Sequence, residues 1–366
     1  MDMTPYMKLM GEKLASDMFF CTGTEPQIKI QGAIRPVGNK KMTPGEVKEM
    51  AYSLMNEKQT AEFEETMEMN FAVSLSGVGR FRVNIFKQRG EVSMVMRFIQ
   101  THIPDFKEMN LPEVLGKIIM EKRGLILVVG STGSGKSTTL AAMIGYRNRN
   151  ANSHILTIED PLEFVHHHER SIVQQREVGI DTLTYENALK NALREAPDVI
   201  MIGEIRDMET MKHAIQYSET GHLCLATLHA NNANQALDRI LNFFPEVMHR
   251  QLLMDLSLNL RAIVSQRLLP AKDSALVPAV EVMLSTPYIR ELILKGDISG
   301  IKEAMKESSE PGTITFDQAL LYLFQTGKIS EEEALRNADS RNDLSLEIRL
   351  NASDDGKDSD SELILS

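Results

Sequence analysis

Apolar and polar residues follow two different patterns along the chain. In RFRVNIF, residues 80–86, apolar side chains alternate with polar ones, which is typical of a strand with one buried face. In LILVV, residues 125–129, every side chain is apolar, as expected of a strand covered on both faces of a parallel sheet. This change of pattern predicts two domains that are built around different sheets.

Residues 1–100 are predicted to form a mixed α+β domain, and three arginines, Arg80, Arg82 and Arg97, lie in its strand patterns. The predicted elements are a helix over about 5–15, a hairpin in IKIQGAIRPV (28–37), a helix in TPGEVKEMAYSLMNEKQTAEFEE (43–65), and the strands RFRVNIF and EVSMVMRFI joined by a turn at KQRG (87–90).

Residues 101–115 contain two prolines and no sustained strand pattern, and we predict a linker there. After it, short apolar runs alternate with helical patterns, which is the order of an α/β fold with a parallel sheet covered by helices. The predicted strands are LILVVG, SHILTIE, DVIMIG and HLCLATLH, and the helices include YENALKNALREA and DMETMKHAIQYSE. We predict that this α/β core spans residues 116–285.

The last third of the chain is predicted to be helical. The predicted helices are VMHRQLLMDLSLNLRAIVSQRLL (247–269) and shorter ones near 287–295, 300–308, 316–325 and 330–338, so that 286–340 form a C-terminal helical region. Residues 339–366 contain eight acidic and three basic side chains. We predict an acidic, disordered tail over 341–366.

Composition narrows the class of protein. The apolar runs are far shorter than the roughly 18 residues that span a bilayer, and the N-terminus lacks a signal-peptide pattern, so we expect a cytoplasmic protein. The formal net charge of −11 disfavours a protein that grips nucleic acid directly. The two cysteines, Cys21 and Cys224, lie too far apart to suggest a zinc site or a disulfide framework.

The stretch GSTGSGKST matches the phosphate-binding loop pattern G-x-x-x-x-G-K-[ST] and lies between an apolar strand and a helical segment. Backbone N–H groups of such a loop surround phosphates, the lysine reaches the β and γ phosphates, and the Ser hydroxyl binds Mg²⁺. A Gly/Ser-rich turn with a chance lysine is the alternative, but the flanking elements favour ATP binding. The predicted nucleotide-binding residues are Gly130, Ser131, Thr132, Gly133, Ser134, Gly135, Lys136, Ser137 (also the Mg²⁺ ligand) and Thr138.

Two apolar strands end on carboxylates. DVIMIGE ends on Glu204, and SHILTIEDPLE provides Glu159, Asp160 and Glu163. Ligands of open α/β sheets gather at the carboxyl ends of strands, so these groups are candidates for ATP hydrolysis. Alternatively, Glu204 is a surface residue that opens the next helix, and the 159–163 group is a solvated turn.

Many phosphate-loop enzymes have Asp before the glutamate of this strand, but here the position is Gly203. Either Mg²⁺ relies on Ser137, phosphates and water, or Glu163 or Glu159 approaches it from the neighbouring strand.

Of the histidines near the predicted strand ends and loops, only one is a candidate for contact with the nucleotide. His222 and His229 flank the strand in GHLCLATLHANNA at an odd spacing, so at most one of them can face a nucleotide. His229 follows the carboxyl end and is the predicted γ-phosphate sensor, whereas His222 is expected to be structural. The adjacent His166, His167 and His168 cannot all converge on one metal ion, so we predict an exposed loop there.

These motifs together resemble one family. GSTGSGKSTT, TIEDPLEFVH, ALREAPDVIMIGEIRD and ETGHLCLATLHANNA are similar, in order and spacing, to the Walker A, Asp-box, Walker B and His-box motifs of the ATPases of type II secretion and type IV pili. RFRVNIFKQRG and SQRLLP extend the similarity to the pilus retraction ATPases, the PilT/PilU family, over about residues 5–340. Gly203 is itself a trait of that family.

The resemblance implies a PAS-like N-terminal domain, a RecA-like P-loop ATPase core and a homohexameric motor for pilus retraction and twitching motility. It implies that Glu204 is the catalytic glutamate, that Glu163 and Glu159 are the Asp-box carboxylates, and that His229 is the His-box residue. Arg82 and Arg97 match arginines that reach the nucleotide phosphates, although the residues alone favour a solvated sheet face. The implied partners are the inner-membrane platform protein of the pilus machine and the paralogous PilT.

Some positions depart from the usual retraction-motor pattern. YIREL (288–292) stands where an Ala-Ile-Arg-Asn-Leu block is usual, and ASDMFF (15–20) replaces a more usual Asp-Leu-His-Leu. With the acidic tail, these changes resemble the accessory, PilU branch of the family. Two alternatives to an autonomous retraction motor stay open: a nucleic-acid motor on a RecA-like scaffold, and a ring component whose own hydrolysis is dispensable.

Overall fold

The computed structural model describes residues 2–273 and 276–354, so residues 355–366 of the predicted tail lie outside it. The described chain divides into two compact units. The first contains the chain up to Ile103 together with Asp160–His167 and Gln175–Thr184, and the second contains Pro104–Glu159, His168–Gln174 and the chain from Tyr185.

In the first unit, six strands of the described chain form an antiparallel sheet in the order β3-β2-β1-β6-β5-β4. Its elements are α1 (Thr4–Glu12), β1 (Asp17–Phe20), β2 (Gln27–Ile30), β3 (Ala33–Pro36), α2 (Glu46–Leu54), α3 (Glu57–Thr66), β4 (Glu68–Leu75), β5 (Gly79–Gln88) and β6 (Glu91–Ile99). The predicted hairpin and the predicted α+β arrangement are confirmed.

The alternation read from β5 sets the buried face of this sheet. Phe81, Val83 and Ile85 are fully buried, while the residues between them are partly exposed. The single helix predicted over 43–65 is wrong, because the chain forms α2 and α3 with a break between them. Asn56 starts α3 with a capping box, in which its side chain and that of Gln59 each accept a hydrogen bond from the other's backbone N–H.

In the second unit, the strands within the described residues form a seven-stranded sheet in the order β13-β12-β7-β11-β10-β8-β9. Up to its last strand, the elements are α4 (Val114–Ile118), β7 (Gly124–Val129), α5 (Lys136–Asn150), β8 (His154–Glu159), β9 (Ile172–Glu177), α6 (Tyr185–Ala192), β10 (Val199–Ile202), α7 (Met208–Glu219), β11 (Leu223–Leu228), α8 (Ala233–Asn242), α9 (Glu246–Asn259), β12 (Leu260–Pro270) and β13 (Leu276–Leu284). β9 begins in the second unit and ends in the first.

The four apolar runs form the predicted parallel strands. β7, β10 and β11 are buried along their whole length, and β7 pairs in parallel with β11, which pairs with β10. Because these strands run in the same direction, the residues after their carboxyl ends come together at one edge of the sheet.

The long helix predicted over 247–269 is wrong in its second half. α9 ends at Asn259, and the chain continues as β12, which pairs in parallel with β7 and antiparallel with β13. The sheet is therefore mixed. β12 contains the β-branched Ile263 and Val264, both fully buried, and their packing in the sheet outweighs the helical spacing of the sequence.

The C-terminal helices follow β13. They are α10 (Pro287–Lys295), α11 (Ile301–Lys306), α12 (Phe316–Gln325), α13 (Glu331–Asn337) and α14 (Arg341–Asp354). The first four lie where the sequence predicted them. α14 corrects the prediction of disorder for 341–354, because its Leu344 and Ile348 are buried in a cluster with Phe316 and Leu320 of α12. None of the helices in the described residues is long and apolar enough to cross a membrane.

Candidate active site

The phosphate-binding loop joins β7 to α5 in the second unit. Lys136 begins α5, and its Nζ donates to the backbone oxygens of Gly130 and Ser131 at 3.0 and 2.8 Å. Ser131, Thr132 and Gly133 are exposed, whereas Ser137 and Thr138 are half-buried. The lysine ammonium is thus held over the loop whose N–H groups are predicted to surround the phosphates.

Gln266 of β12 supports this loop from within the sheet. The Thr139 hydroxyl donates to Gln266 Oε1 at 2.6 Å, and both side chains are buried. Gly135 has a φ of 87°, and a Cβ there would lie 2.8 Å from Gln266 Nε2. The loop therefore requires glycine at this position. Sequence reasoning missed Gln266 because it is 127 residues away from Thr139.

Glu204 follows β10 and is hydrogen-bonded by two neighbours. Arg206 Nε lies 2.6 Å from Oε2, and His229 Nε2 lies 3.0 Å from Oε1. The Glu204 side chain is 19% exposed, so it is accessible but partly shielded. The structure therefore brings the two predicted residues Glu204 and His229 together, and it adds Arg206, which sequence reasoning did not single out although it lies in the same motif.

His222 lies at the opposite end of β11 from His229. Its Nδ1 is 3.1 Å from Thr220 Oγ1 and 3.2 Å from the backbone oxygen of Tyr217. These contacts are local to the turn between α7 and β11, so they agree with the structural role that was expected of it.

A side chain at Gly203 would be crowded by its neighbours. A Cβ at this position would lie 2.7 Å from Tyr185 Oη and 3.2 Å from Glu159 Cα. The Gly203 backbone N–H donates to Ile158 O at 2.7 Å, which ties β10 closely to β8. An aspartate at position 203 would therefore crowd the Tyr185 hydroxyl and the backbone of β8, which offers a steric reason for the departure from the usual pattern.

Glu159 is the last residue of β8, the strand next to β10. It is 9% exposed, and its Oε1 accepts a hydrogen bond from the Thr157 hydroxyl at 2.7 Å. The interpretation of Glu159 as part of a solvated turn is therefore wrong. Glu163 belongs to the first unit and is exposed.

The two predicted arginines lie directly opposite each other in the sheet of the first unit, on β5 and β6. Arg82 is 17% exposed and pairs with Glu177 at 2.8 Å, and it also donates to Leu162 O at 2.9 Å. Arg97 is 61% exposed and pairs with Asp17 at 2.7 Å. The solvated-face interpretation is therefore wrong for Arg82. Its partner Glu177 gave no signal in the sequence.

The histidine run does not form one exposed loop. His166 is 8% exposed, and its backbone N–H donates to Gln175 Oε1 at 2.8 Å, whereas His167 and His168 are exposed. Among the residues that the structure describes, no group of three or more His, Cys, Asp or Glu side chains could hold a metal ion.

A cavity of about 460 Å³ adjoins the phosphate-binding loop in the second unit. Its lining includes Gly130 and Ser131 of the loop, His229, and Asp238 and Arg239 of α8. Lys136, Glu204 and His229 each follow the carboxyl end of one of the parallel strands β7, β10 and β11. Groups at this edge of an α/β sheet are placed to act on a bound phosphate.

Comparison with known proteins agrees with this chemistry. The family model described as type II/IV secretion system protein matches residues 5–292. The chain is 54% identical to the type IV pilus ATPase PilU of Pseudomonas aeruginosa, over 97% of this chain and 93% of that protein. It is 40% identical to the type IV pilus retraction ATPase PilT of the same organism, over 92% of this chain and 98% of that protein.

A solved structure extends the agreement to the fold. The pilus retraction motor PilT with bound ADP superposes with a TM-score of 0.86 at 40% identity, covering 93% of this chain and 98% of that chain. The Legionella pneumophila ATPase DotB gives a TM-score of 0.73 at 27% identity, over 90% and 94% of the two chains.

The chain belongs to the type II/IV secretion system protein family and is a P-loop ATPase with a RecA-like core. Within that family it is a member of the PilT/PilU group of type IV pilus retraction ATPases, with greater similarity to PilU than to PilT.

Proposed function

We propose that the chain works as a homohexameric ring at the inner-membrane face of the type IV pilus machine. There it hydrolyses ATP to power or assist pilus retraction through the platform protein. The observation that supports the chemistry best is Glu204, which is held by His229 and Arg206 at the same edge of the sheet as the phosphate-binding loop. The names of PilU and PilT support the cellular role.

In this proposal Glu204 orients the water that attacks the γ-phosphate, and His229 senses that phosphate and steadies the carboxylate. Lys136 neutralises charge on the β and γ phosphates. Mg²⁺ arrives with ATP as part of the substrate, and the half-buried Ser137 hydroxyl in the first turn of α5 is its proposed protein ligand.

Since position 203 has no carboxylate, we assign the remaining carboxylate role near Mg²⁺ to Glu159, whose buried side chain ends the neighbouring strand. Glu163 is proposed as a second Asp-box carboxylate, and Arg82 and Arg97 as cations for the nucleotide phosphates. For these three residues of the first unit, the family resemblance is the support.

Changing Glu204→Gln tests the chemistry. It keeps the shape of the side chain but removes the base, so kcat should fall at least about a hundredfold while ATP binding is retained. Steady-state ATPase assays and fluorescent-nucleotide titration of the purified chain measure the two quantities. The matched control Glu209→Gln changes an exposed glutamate of α7 that pairs with Lys212, and it should leave both unchanged. Undiminished turnover in Glu204→Gln would refute the assignment.

The same chain offers a test of whether its own hydrolysis drives retraction. Lys136→Ala should weaken ATP binding, and cells with this variant should resemble a full deletion, with excess pili that fail to retract. If retraction persists in Lys136→Ala cells only while a partner motor such as PilT is present, the chain is an accessory ring component rather than an autonomous motor.

A further inference from the structure

The loop that carries His229 leads directly into α8, and Asn232 is the N-cap of that helix. His229 Nε2 lies 3.0 Å from Glu204 Oε1. A small displacement of this loop would therefore break the only contact through which His229 reaches the carboxylate in the described chain, and active sites lose activity steeply with such displacements.

Two side chains from distant parts of the second unit hold this loop. Arg267 of β12 donates through Nη2 to Asn231 O at 3.3 Å and to Asp339 Oδ1 at 2.6 Å. Asn232 Nδ2 donates to the other carboxylate oxygen, Asp339 Oδ2, at 3.2 Å. Asp339 thus fixes Asn232 directly and Asn231 through the Arg267 guanidinium.

Asp339 is itself well anchored between α13 and α14. Its side chain is 11% exposed, and its backbone N–H donates to Asp317 Oδ1 at 2.7 Å. The Arg267 guanidinium lies 3.9 Å from the centre of the Phe316 ring and donates through Nη1 to Asn337 O at 2.5 Å. A carboxylate–guanidinium pair held in this way has a defined position. Its hydrogen bonds to Asn231 and Asn232 therefore fix the position of the loop.

The loop lacks close packing on the same side. A cavity of about 530 Å³ lies there, and Asn231, Asn232, Arg267 and Asp339 contribute to its wall. Since side-chain packing does not fill this space, the hydrogen bonds that Asn231 and Asn232 make with Arg267 and Asp339 restrict movement of this part of the loop toward it, while the next residue, Ala233, is held separately by Glu281.

We propose that Asp339 is a positioning residue for ATP hydrolysis, which holds His229 within hydrogen-bond distance of Glu204 by fixing Asn231 and Asn232. This inference rests on the roles proposed above for His229 and Glu204. It assigns a function in hydrolysis to the junction of α13 and α14, which contributes no group to the phosphate-binding loop.

The test is a double-mutant cycle on the purified full-length chain. Asp339→Ala should lower kcat roughly tenfold, while KM for ATP stays within about twofold, because positioning affects the chemical step and not nucleotide binding. The control Glu347→Gln removes a carboxylate of α14 that pairs with Lys306 and does not contact the loop, and it should leave both constants unchanged.

In a His229→Ala background, Asp339→Ala should lower kcat by less than about twofold more, because residues that act through one another are not additive. Asp339→Asn is the milder second variant. It retains an oxygen that can accept from Asn232 but loses the charge opposite Arg267, so we expect an intermediate kcat and a melting temperature close to that of the wild type.

The possible outcomes distinguish a failure of this inference about Asp339 from a failure of the proposed function. Unchanged kcat in both Asp339 variants overturns the inference, and so do fully multiplicative effects of Asp339→Ala and His229→Ala. If His229→Ala alone leaves kcat unchanged, the proposed role of His229 fails and the inference fails with it. If His229→Ala lowers kcat and only the coupling is missing, the proposed function stands without the inference.

Discussion

The three central parallel strands of the second unit and the strands of the first sheet place their charged groups differently. In the second unit, β7, β10 and β11 contain no charged side chain, and the reactive groups Lys136, Glu204 and His229 all follow the carboxyl ends of strands. In the first unit, Arg80, Arg82 and Arg97 lie within strands. A parallel sheet covered on both faces can expose chemistry only at its ends, whereas an antiparallel sheet can present charge along a face.

The largest expected effect is the loss of stability when the ion pair between Arg82 and Glu177 in the first unit is broken. Arg82→Ala leaves the Glu177 side chain, which is 3% exposed, without the guanidinium that pairs with it. Breaking a buried pair from one side costs about 3 to 5 kcal/mol of unfolding free energy, and we expect a loss of that size in the first unit. Chemical denaturation followed by far-UV circular dichroism measures it.

The control for Arg82 lies on the same strand. Lys87 pairs with Glu64, and both side chains are substantially exposed, so Lys87→Ala should cost no more than about 1 kcal/mol. The double variant Arg82→Met with Glu177→Gln should regain much of the stability that Arg82→Ala loses. Equal costs for Arg82→Ala and Lys87→Ala would contradict the distinction between a buried and a solvated charge on this sheet.

The next effect concerns a buried carboxyl group inside a strand of the second sheet. Glu281 lies inside β13, is 2% exposed, and accepts hydrogen bonds from the Ala233 N–H and the Ser265 hydroxyl at 2.8 and 2.9 Å. Burial raises the pKa of this carboxyl from 4.5 to about 7. The folded chain therefore keeps its proton at pH values where the unfolded chain has lost it. Stability should fall as pH rises from about 4.5 to about 7 and level off above, by up to about 3 kcal/mol.

Glu281→Gln removes this titration and keeps an oxygen that can accept both hydrogen bonds. The variant should gain melting temperature relative to the wild type between pH 5 and pH 8, whereas Glu209→Gln, at an exposed site, should follow the wild type. Parallel melting curves for Glu281→Gln and the wild type across this range would show that Glu281 is not held in its protonated form.

The smallest of these effects concerns the edge of the parallel sheet. Gly203→Ala places a Cβ 2.7 Å from Tyr185 Oη and should cost about 1 to 3 kcal/mol of stability, with lower ATPase activity because Glu204 is displaced. Adding Tyr185→Phe removes the atom in closest contact and should restore part of both. If Gly203→Ala is as stable as the wild type, the steric reason for the missing aspartate is wrong.

The sequence predicted the second unit best where local pattern and burial agree. The strands that end at Val129, Glu159, Ile202 and Leu228 were evident because each is a short apolar run followed by a polar or glycine-rich segment. The switch from α9 to β12 was missed, since no Gly or Pro marks Asn259 and the helical spacing continues into the strand. Only the pairing of β12 with β7 and β13 decides the structure there.

The prediction of the active site from the sequence was limited in the same way, because it found local motifs and missed contacts between distant residues. Glu204, His229 and the phosphate-binding loop were found because each belongs to a motif at a strand end. Gln266 and Asp339 were not assigned, because their partners Thr139 and Asn232 are more than 100 residues away along the chain. Glu177, the partner of Arg82, is 95 residues away from it. A single sequence gives no signal for contacts of that range.

The division of the chain into units also affects how the protein is made. The first unit includes Asp160–His167 and Gln175–Thr184 in addition to the chain up to Ile103, so no continuous fragment of the chain contains one unit alone. During synthesis on the ribosome, the first unit lacks part of its own structure until residue 184 has emerged, by which time the phosphate-binding loop has already been translated. A fragment cut at Ile103 would lack two of the segments that belong to the first unit, which argues for studying each unit in the intact chain.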